Sequence, residues 1–183
     1  VPLPGVSGET LPAWIAELCG SLREGAMRLL EDGAGEKGFR FLKAKWPNLP
    51  LHVRAWVLEW GARDHPVPVL DLLVDGLNTG TRELTLAALS GLASLPEFAK
   101  HLNDRITRLV HSNDRDMRIA ALKAMPETTE AMVRDSAHDT ESLLIALRKL
   151  PPRQDSQQLL FELLGNERWE VRSAATQKLM ALG

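Results

Sequence analysis

Apolar residues recur at three- and four-residue spacing along most of the chain, in segments of about 10 to 15 residues. Gly, Pro, Asn and Asp fall between these segments. No segment keeps the two-residue alternation of a half-buried strand, so the pattern predicts helices throughout. Twelve are expected. The first two cover about Leu11–Cys19 and a stretch from Ser21 that stops at Gly33 and Gly35, with Ser21 and Glu24 spaced as a capping box. The third runs from Glu36 to Trp46, before Pro47, with the Gly33–Gly38 segment "GAGEKG" read as a flexible turn. Leu51–Ala62 and Val67–Leu77 are next, followed by helices after Thr81, Pro96 and Asp114. A short one spans Thr129–His138, and another follows Asp139 and ends before Pro151-Pro152. The eleventh follows Asp155, with Gln158 in capping-box position, and stops at Gly165; the last starts near Asn166. Short helices joined by short turns predict about six antiparallel pairs.

The second helix of each pair repeats a pattern. Anchored at Val53, Leu84, Met117, Ser142 and Val171, the copies lie 31, 33, 25 and 29 residues apart. Periods of this size mark helical repeat arrays. Four residues after the anchor stand Val57, Ala88, Ala121, Ala146 and Ala175, where a small side chain lets helices approach closely. One further on are Leu58, Leu89, Leu122 and Leu147, with Thr176 as the exception. Eight after the anchor are Leu92, Met125, Leu150 and Leu179, with Gly61 as the exception. These spacings build one apolar face on a 3.6-residue period. Glu83, Asp116, Glu141 and Glu170 precede the anchor and meet the positive end of the helix dipole. Thr81, Asp114 and Asp139, three before it, are good N-cap types. Arg54, Arg118 and Arg172 follow it; they either line a binding surface or, the favoured reading, pair with turn or neighbouring-unit acids such as Asp114 or Glu167 and tie repeats together.

The segments "NDRDMRIAALKAM" and "NERWEVRSAATQKLMAL" resemble the second helix of HEAT and HEAT-like (armadillo-type) repeats: an Asp/Asn-rich turn, an apolar-Arg pair, spaced alanines, then Leu. The resemblance implies an all-α, right-handed α-α superhelix, an α-solenoid of about six antiparallel helix pairs. It further implies first helices on the convex side and second helices on the concave side. Residues 48–183 fit the repeat register, 11–47 form an atypical N-terminal capping unit, and 1–10 form a disordered or extended lead. The physics agrees, because one hairpin cannot bury its apolar stripe but stacked hairpins can.

Composition narrows the function. Net charge is −2 and 25% of residues are charged, so the chain lacks the global basic signature of a nucleic-acid binder. Cys19 is the single cysteine, which rules out an internal disulfide and a Cys-based metal cage. No run of about 18 apolar residues occurs, and the first ten residues lack the parts of a signal peptide. These features point to a cytoplasmic location. The chain begins with Val, which points to a processed chain or an excised fragment of something longer. The five histidines offer no pair at helical metal spacing, and the His138-Asp139-Glu141 cluster reads as a helix cap. No phosphate loop or nucleophile elbow is present, so no catalytic residue, cofactor or metal is implied.

Two surfaces remain. Six residues after the anchor stand Glu59, Ser90, Lys123, Arg148 and Gln177, a variable polar column opposite the Ala/Leu face. On the concave side that the resemblance implies, such a column would read a protein partner. The first function expected is therefore a non-catalytic protein-interaction scaffold or adaptor. The alternative surface is the window Lys37–Arg63, where Lys37, Arg40, Lys43, Lys45, Arg54 and Arg63 accompany one acid, Glu59, and Trp46, Trp56 and Trp60. Cations with interleaved aromatics can bind nucleic acid, as HEAT-like DNA glycosylases do, although net charge disfavours it. The competing reading buries the tryptophans and solvates the cations. A third function class, lyase- or chaperone-like HEAT proteins, rests on the resemblance alone.

Overall fold

The structure, a computed structural model, describes residues 35–182, with side chains from residue 38 onward. The expectations for residues 1–34, including the first two helices, the Ser21–Glu24 box and Cys19, lie outside the described residues. The described residues contain eleven α-helices and no strand. They fall in two compact units that divide between Gly91 and Leu92.

The first unit begins with α1 (Gly35–Lys45) and a 3₁₀ turn (Trp46–Asn48). The helix expected from Glu36 is there and opens one residue earlier, at Gly35, so the part of the Gly33–Gly38 turn reading that falls on residues 35–38 gives way to helix. Then follow α2 (Leu51–Asp64), α3 (Leu70–Asn78) and α4 (Arg82–Ala93), whose last two residues belong to the second unit. Helix α3 starts at Leu70 rather than Val67. Pro68 disfavours the helical conformation at the residue before it and cannot donate to the ladder. Gly80 follows α3 at φ +69°, the left-handed region where a side chain is strained. Phe39, Leu42 and Trp46 form the buried stripe of α1, and Val53, Val57, Leu58 and Trp60 that of α2. Phe39 meets Trp60 edge-on, with ring centroids 5.7 Å apart. Trp46 is buried, and its indole N–H donates to Asp75 Oδ2 on α3 at 2.6 Å. Gly61 breaks the column eight after the anchor for a packing reason. A Cβ there would lie 2.6 Å from both the Phe39 ring and Val69 Cγ2.

The second unit continues through α5 (Pro96–His101), α6 (Asn103–Val110), α7 (Arg115–Ala124), α8 (Glu130–Asp135) and α9 (Thr140–Lys149). A 3₁₀ turn (Gln154–Ser156), α10 (Gln157–Leu164) and α11 (Trp169–Met180) complete it. Two expectations change. The helix after Pro96 is two helices, because the ladder breaks at Leu102 (φ −107°, ψ 11°), whose N–H makes a tight bond to the Ala99 carbonyl at 3.0 Å. The Asp155–Gln158 capping box does not form. Beyond Pro151-Pro152, Arg153 is still extended (φ −127°, ψ 150°), a 3₁₀ turn intervenes, and the Gln158 amide reaches Glu162 instead.

Helices α6–α7, α8–α9 and α10–α11 pack as hairpins, and α7, α9 and α11 pack side by side in that order. The small-residue column sits where they meet: Ala121, Ala146 and Ala175 have no exposed surface. Every anchor, from Val53 to Val171, is buried, and so are Leu58, Leu89, Leu122 and Leu147. Each such leucine contributes about 1.5–3 kcal/mol relative to exposure. Thr176, the sequence exception, is exposed.

Polar contacts repeat with the same register. Asp114 Oδ1 accepts from the backbone N–H groups of Asp116 and Met117, at 2.9 and 3.3 Å, and caps α7. Asp139 caps α9 through Ser142 N–H and hydroxyl, at 3.4 and 2.5 Å. A lysine one residue before the end of the apolar column reaches back to the preceding second helix. Lys149 Nζ donates to the carbonyls of Lys123 and Met125, and Lys178 Nζ to that of Leu150 at 2.5 Å. These are the orphan carbonyls at helix ends, where a cation also meets the negative end of the dipole. Burial pushes both lysine ammonium groups below their ordinary value.

Ion pairs join neighbouring hairpins: Arg115 with Asp139 and Glu141 at 3.1 and 3.0 Å, and Arg134 with Glu162 at 2.7 Å. The Ser142 hydroxyl, then Arg115, holds Asp139 below its ordinary value, and Arg134 does the same for Glu162. Carboxylates with lowered folded values stabilise above the unfolded values, 3.8 for Asp and 4.5 for Glu, and lose that contribution as pH falls through the folded ones. Urea denaturation followed from pH 7 to pH 3 should therefore show stability falling once the pH drops below about 4.5. Asp139→Asn, which keeps a capping side chain but cannot titrate, should make that fall shallower.

Candidate interaction surface

On an α-helix, a residue six positions on from the anchor lies about 240° around the axis, away from the face that holds the anchor and the small-residue column. The structure places Glu59 (α2), Ser90 (α4), Lys123 (α7), Arg148 (α9) and Gln177 (α11) accordingly, and all five are exposed. Partial burial raises the Glu59 carboxyl above its ordinary value. Lys123 Nζ lies 3.7 Å from Glu141 on the next second helix. Among the described residues Arg148 and Gln177 have no such partner.

The Arg column is structural, but its partners are not acids. Arg118 Nη1 donates to the carbonyls of Ser112 and Asn113, at 2.9 and 3.1 Å. Arg172 Nη1 donates to those of Asn166 and Glu167, both at 2.8 Å. In each case the guanidinium spans carbonyls six and five residues back, so it closes the turn that feeds its own helix. The expected acid Asp114 is occupied in capping α7. Arg54 instead stands over the Trp46 ring, 5.9 Å from its centroid.

Within the basic window, the Lys37 side chain lies outside the described residues. Arg40 and Lys45 are exposed. Lys43 donates to the Pro68 carbonyl and to Asp71 Oδ2, at 2.8 and 2.7 Å, and Arg63 pairs with Asp64 at 3.0 Å. Trp46 and Trp60 are core residues, and half-buried Trp56 stacks on Trp60 at 4.9 Å. The acids that meet this window, Asp64, Asp71 and Asp75, all lie beyond its end in sequence. For that reason counting charges within the window missed them.

The second unit also holds a hollow of about 260 Å³, lined by His111, Ser112, Asn113, Arg118, Asp135 and His138 among others. Its residues come from separate turns and carry no common sequence signal. His111 Nδ1 lies 3.8 Å from Asp135 Oδ2, and the Ser136 and Ser142 hydroxyls are spent on Met132 and Asp139. Phe161, Trp169 and Met180, on the last hairpin, stand out in solvent. Among the described residues no group of three His, Cys, Asp or Glu could hold a metal ion. No described helix is long and apolar enough to cross a membrane.

No family model matches the chain, and no curated protein sequence matches it. Among solved structures, a designed armadillo repeat protein in complex with the peptide (KR)4 superposes with a TM-score of 0.58. The match covers 94% of this chain and 99% of that one, at 16% sequence identity. The chain has an armadillo-type, all-α repeat fold. The sequence resemblance to HEAT and armadillo units is thereby carried by an independent structural likeness.

Proposed function

We propose that the protein is a non-catalytic interaction scaffold that binds a protein partner through the exposed column residues, Glu59 and Ser90 in the first unit and Lys123, Arg148 and Gln177 in the second. One observation carries this reading. The column is exposed on five second helices, while the anchor and small-residue positions of the same helices are sealed in the core. The structural neighbour holds a peptide, (KR)4, so a fold of this type is able to do so. The nucleic-acid reading is weaker. Lys43 and Arg63 are ion-paired, and Trp46 and Trp60 are not free to stack on bases.

The test is affinity capture with the wild-type chain and with Lys123→Ala/Arg148→Ala, read by quantitative mass spectrometry. Both side chains are exposed, so helicity should be unchanged. Specific partners should be depleted several-fold by the double substitution. Retention of every wild-type partner, extended to replacement of the whole column, would overturn the proposal.

A further inference from the structure

The polar column is one edge of a wider strip. Four positions of each second helix, one before the anchor and two, three and six after it, fall within about 100° of one another around the axis. On α9 these are Glu141, Leu144, Ile145 and Arg148: an exposed acid, two half-buried apolar residues and an exposed cation. At the same positions α7 has Asp116, a buried Ile119, a half-buried Ala120 and Lys123, and α11 has Glu170, Ser173, Ala174 and Gln177. On α7 and α9 the strip thus carries an apolar floor with acids at its amino-terminal side and cations at its carboxyl-terminal side.

On α7 and α9 the two rows are not equally available, whereas Glu170 on α11 has no ion pair among the described residues. Glu141 already meets Arg115 and Lys123, Asp139 meets Arg115, and Asp116 has a partner of its own. Arg148 has no ion pair among the described residues. Helix-end electrostatics does not account for it, because Lys149 and Lys178 already cap the carbonyl ends of α7 and α9. Beside the apolar floor of α9 the strip therefore presents one cation without an ion pair, Arg148, and next to it Lys123, which shares Glu141 with Arg115.

We infer that this strip of the second unit takes an extended protein segment that carries acidic side chains three residues apart with an apolar residue between them. The inference rests on the scaffold reading above and names its partner's chemistry. Packed helices lie about 8–10 Å apart, and an extended chain advances about 3.3 Å per residue. Acids at i and i+3 therefore reach Lys123 on α7 and Arg148 on α9, and the side chain between them lies over Leu144 and Ile145.

Two fluorescein-labelled probes test this by anisotropy: three Glu-Leu-Ser triplets and three Lys-Leu-Ser triplets. The acidic probe should bind, more weakly at high salt. Arg148→Glu should weaken it by about 3- to 10-fold, as expected for reversing one exposed ion pair. Equal or tighter binding of the basic probe overturns the inference, as does indifference of the acidic probe to Arg148→Glu or failure of both probes to bind. The capture experiment is scored separately. If it succeeds while the basic probe wins here, the scaffold stands and the charge assignment falls.

Discussion

Replacing Trp60 with alanine is expected to lower the unfolding free energy by about 3–5 kcal/mol. Trp60 is 2% exposed and takes part in three ring contacts. Phe39 meets it edge-on from α1, Trp56 stacks on it from the same helix, and His65 approaches its face edge-on at 5.1 Å. Removing the indole strips all three of a partner at once. The resulting cavity cannot collapse easily, because the neighbours are flat rings held by separate elements. Urea denaturation followed by the remaining tryptophans measures the change. A loss below about 1 kcal/mol would mean that Trp60 is not a core residue, and would reopen the aromatic–basic reading of this window.

The second large effect distinguishes two adjacent residues of α9. Leu147→Ala should cost about 2–5 kcal/mol, and Arg148→Ala should stay within about 0.5 kcal/mol of wild type. Leu147 has no exposed surface, and α9 packs against both α7 and α11, so its loss is felt on two sides. Arg148 is one residue on, about 100° further around the helix, and faces solvent. Thermal or urea melts of the two variants test the repeat register directly. Equal effects would show that the register is wrong, and with it the assignment of the exposed column.

What could be read from the sequence follows from which signals are local. The burial of Ala121, Ala146 and Ala175, and the exposure of their partners two residues on, come from helical period alone, so they were legible. The caps by Asp114 and Asp139 were legible too, because an N-cap acts within three residues of itself. The split at Leu102 was not: Ala99, Ile106 and Val110 keep a helical spacing across it, and only backbone dihedrals show the corner. The lysine contacts to Met125 and Leu150 were also invisible. A lysine in a last turn reads as solvated, and its partner is a carbonyl that every residue possesses. Asp71 and Asp75, which meet Lys43 and Trp46, lie 28 and 29 residues away from them. At the candidate surface, the period gave the positions of the column. It could not show that Glu141 is already shared between two cations while Arg148 is left over.

The lysine contacts between second helices make the dismantling of this unit directional. Lys178 can hold the end of α9 only while α11 is in place, and Lys149 can hold the end of α7 only while α9 is. Each support is lent by the later hairpin to the earlier one, so peeling away the last hairpin uncovers the carbonyl terminus of the one before it. Melting that begins at α11 thus uncovers a carbonyl terminus in the next layer inward, whereas fraying from the other side takes Arg115 away from Asp139 and Glu141 but uncovers no carbonyl terminus in the hairpins that follow.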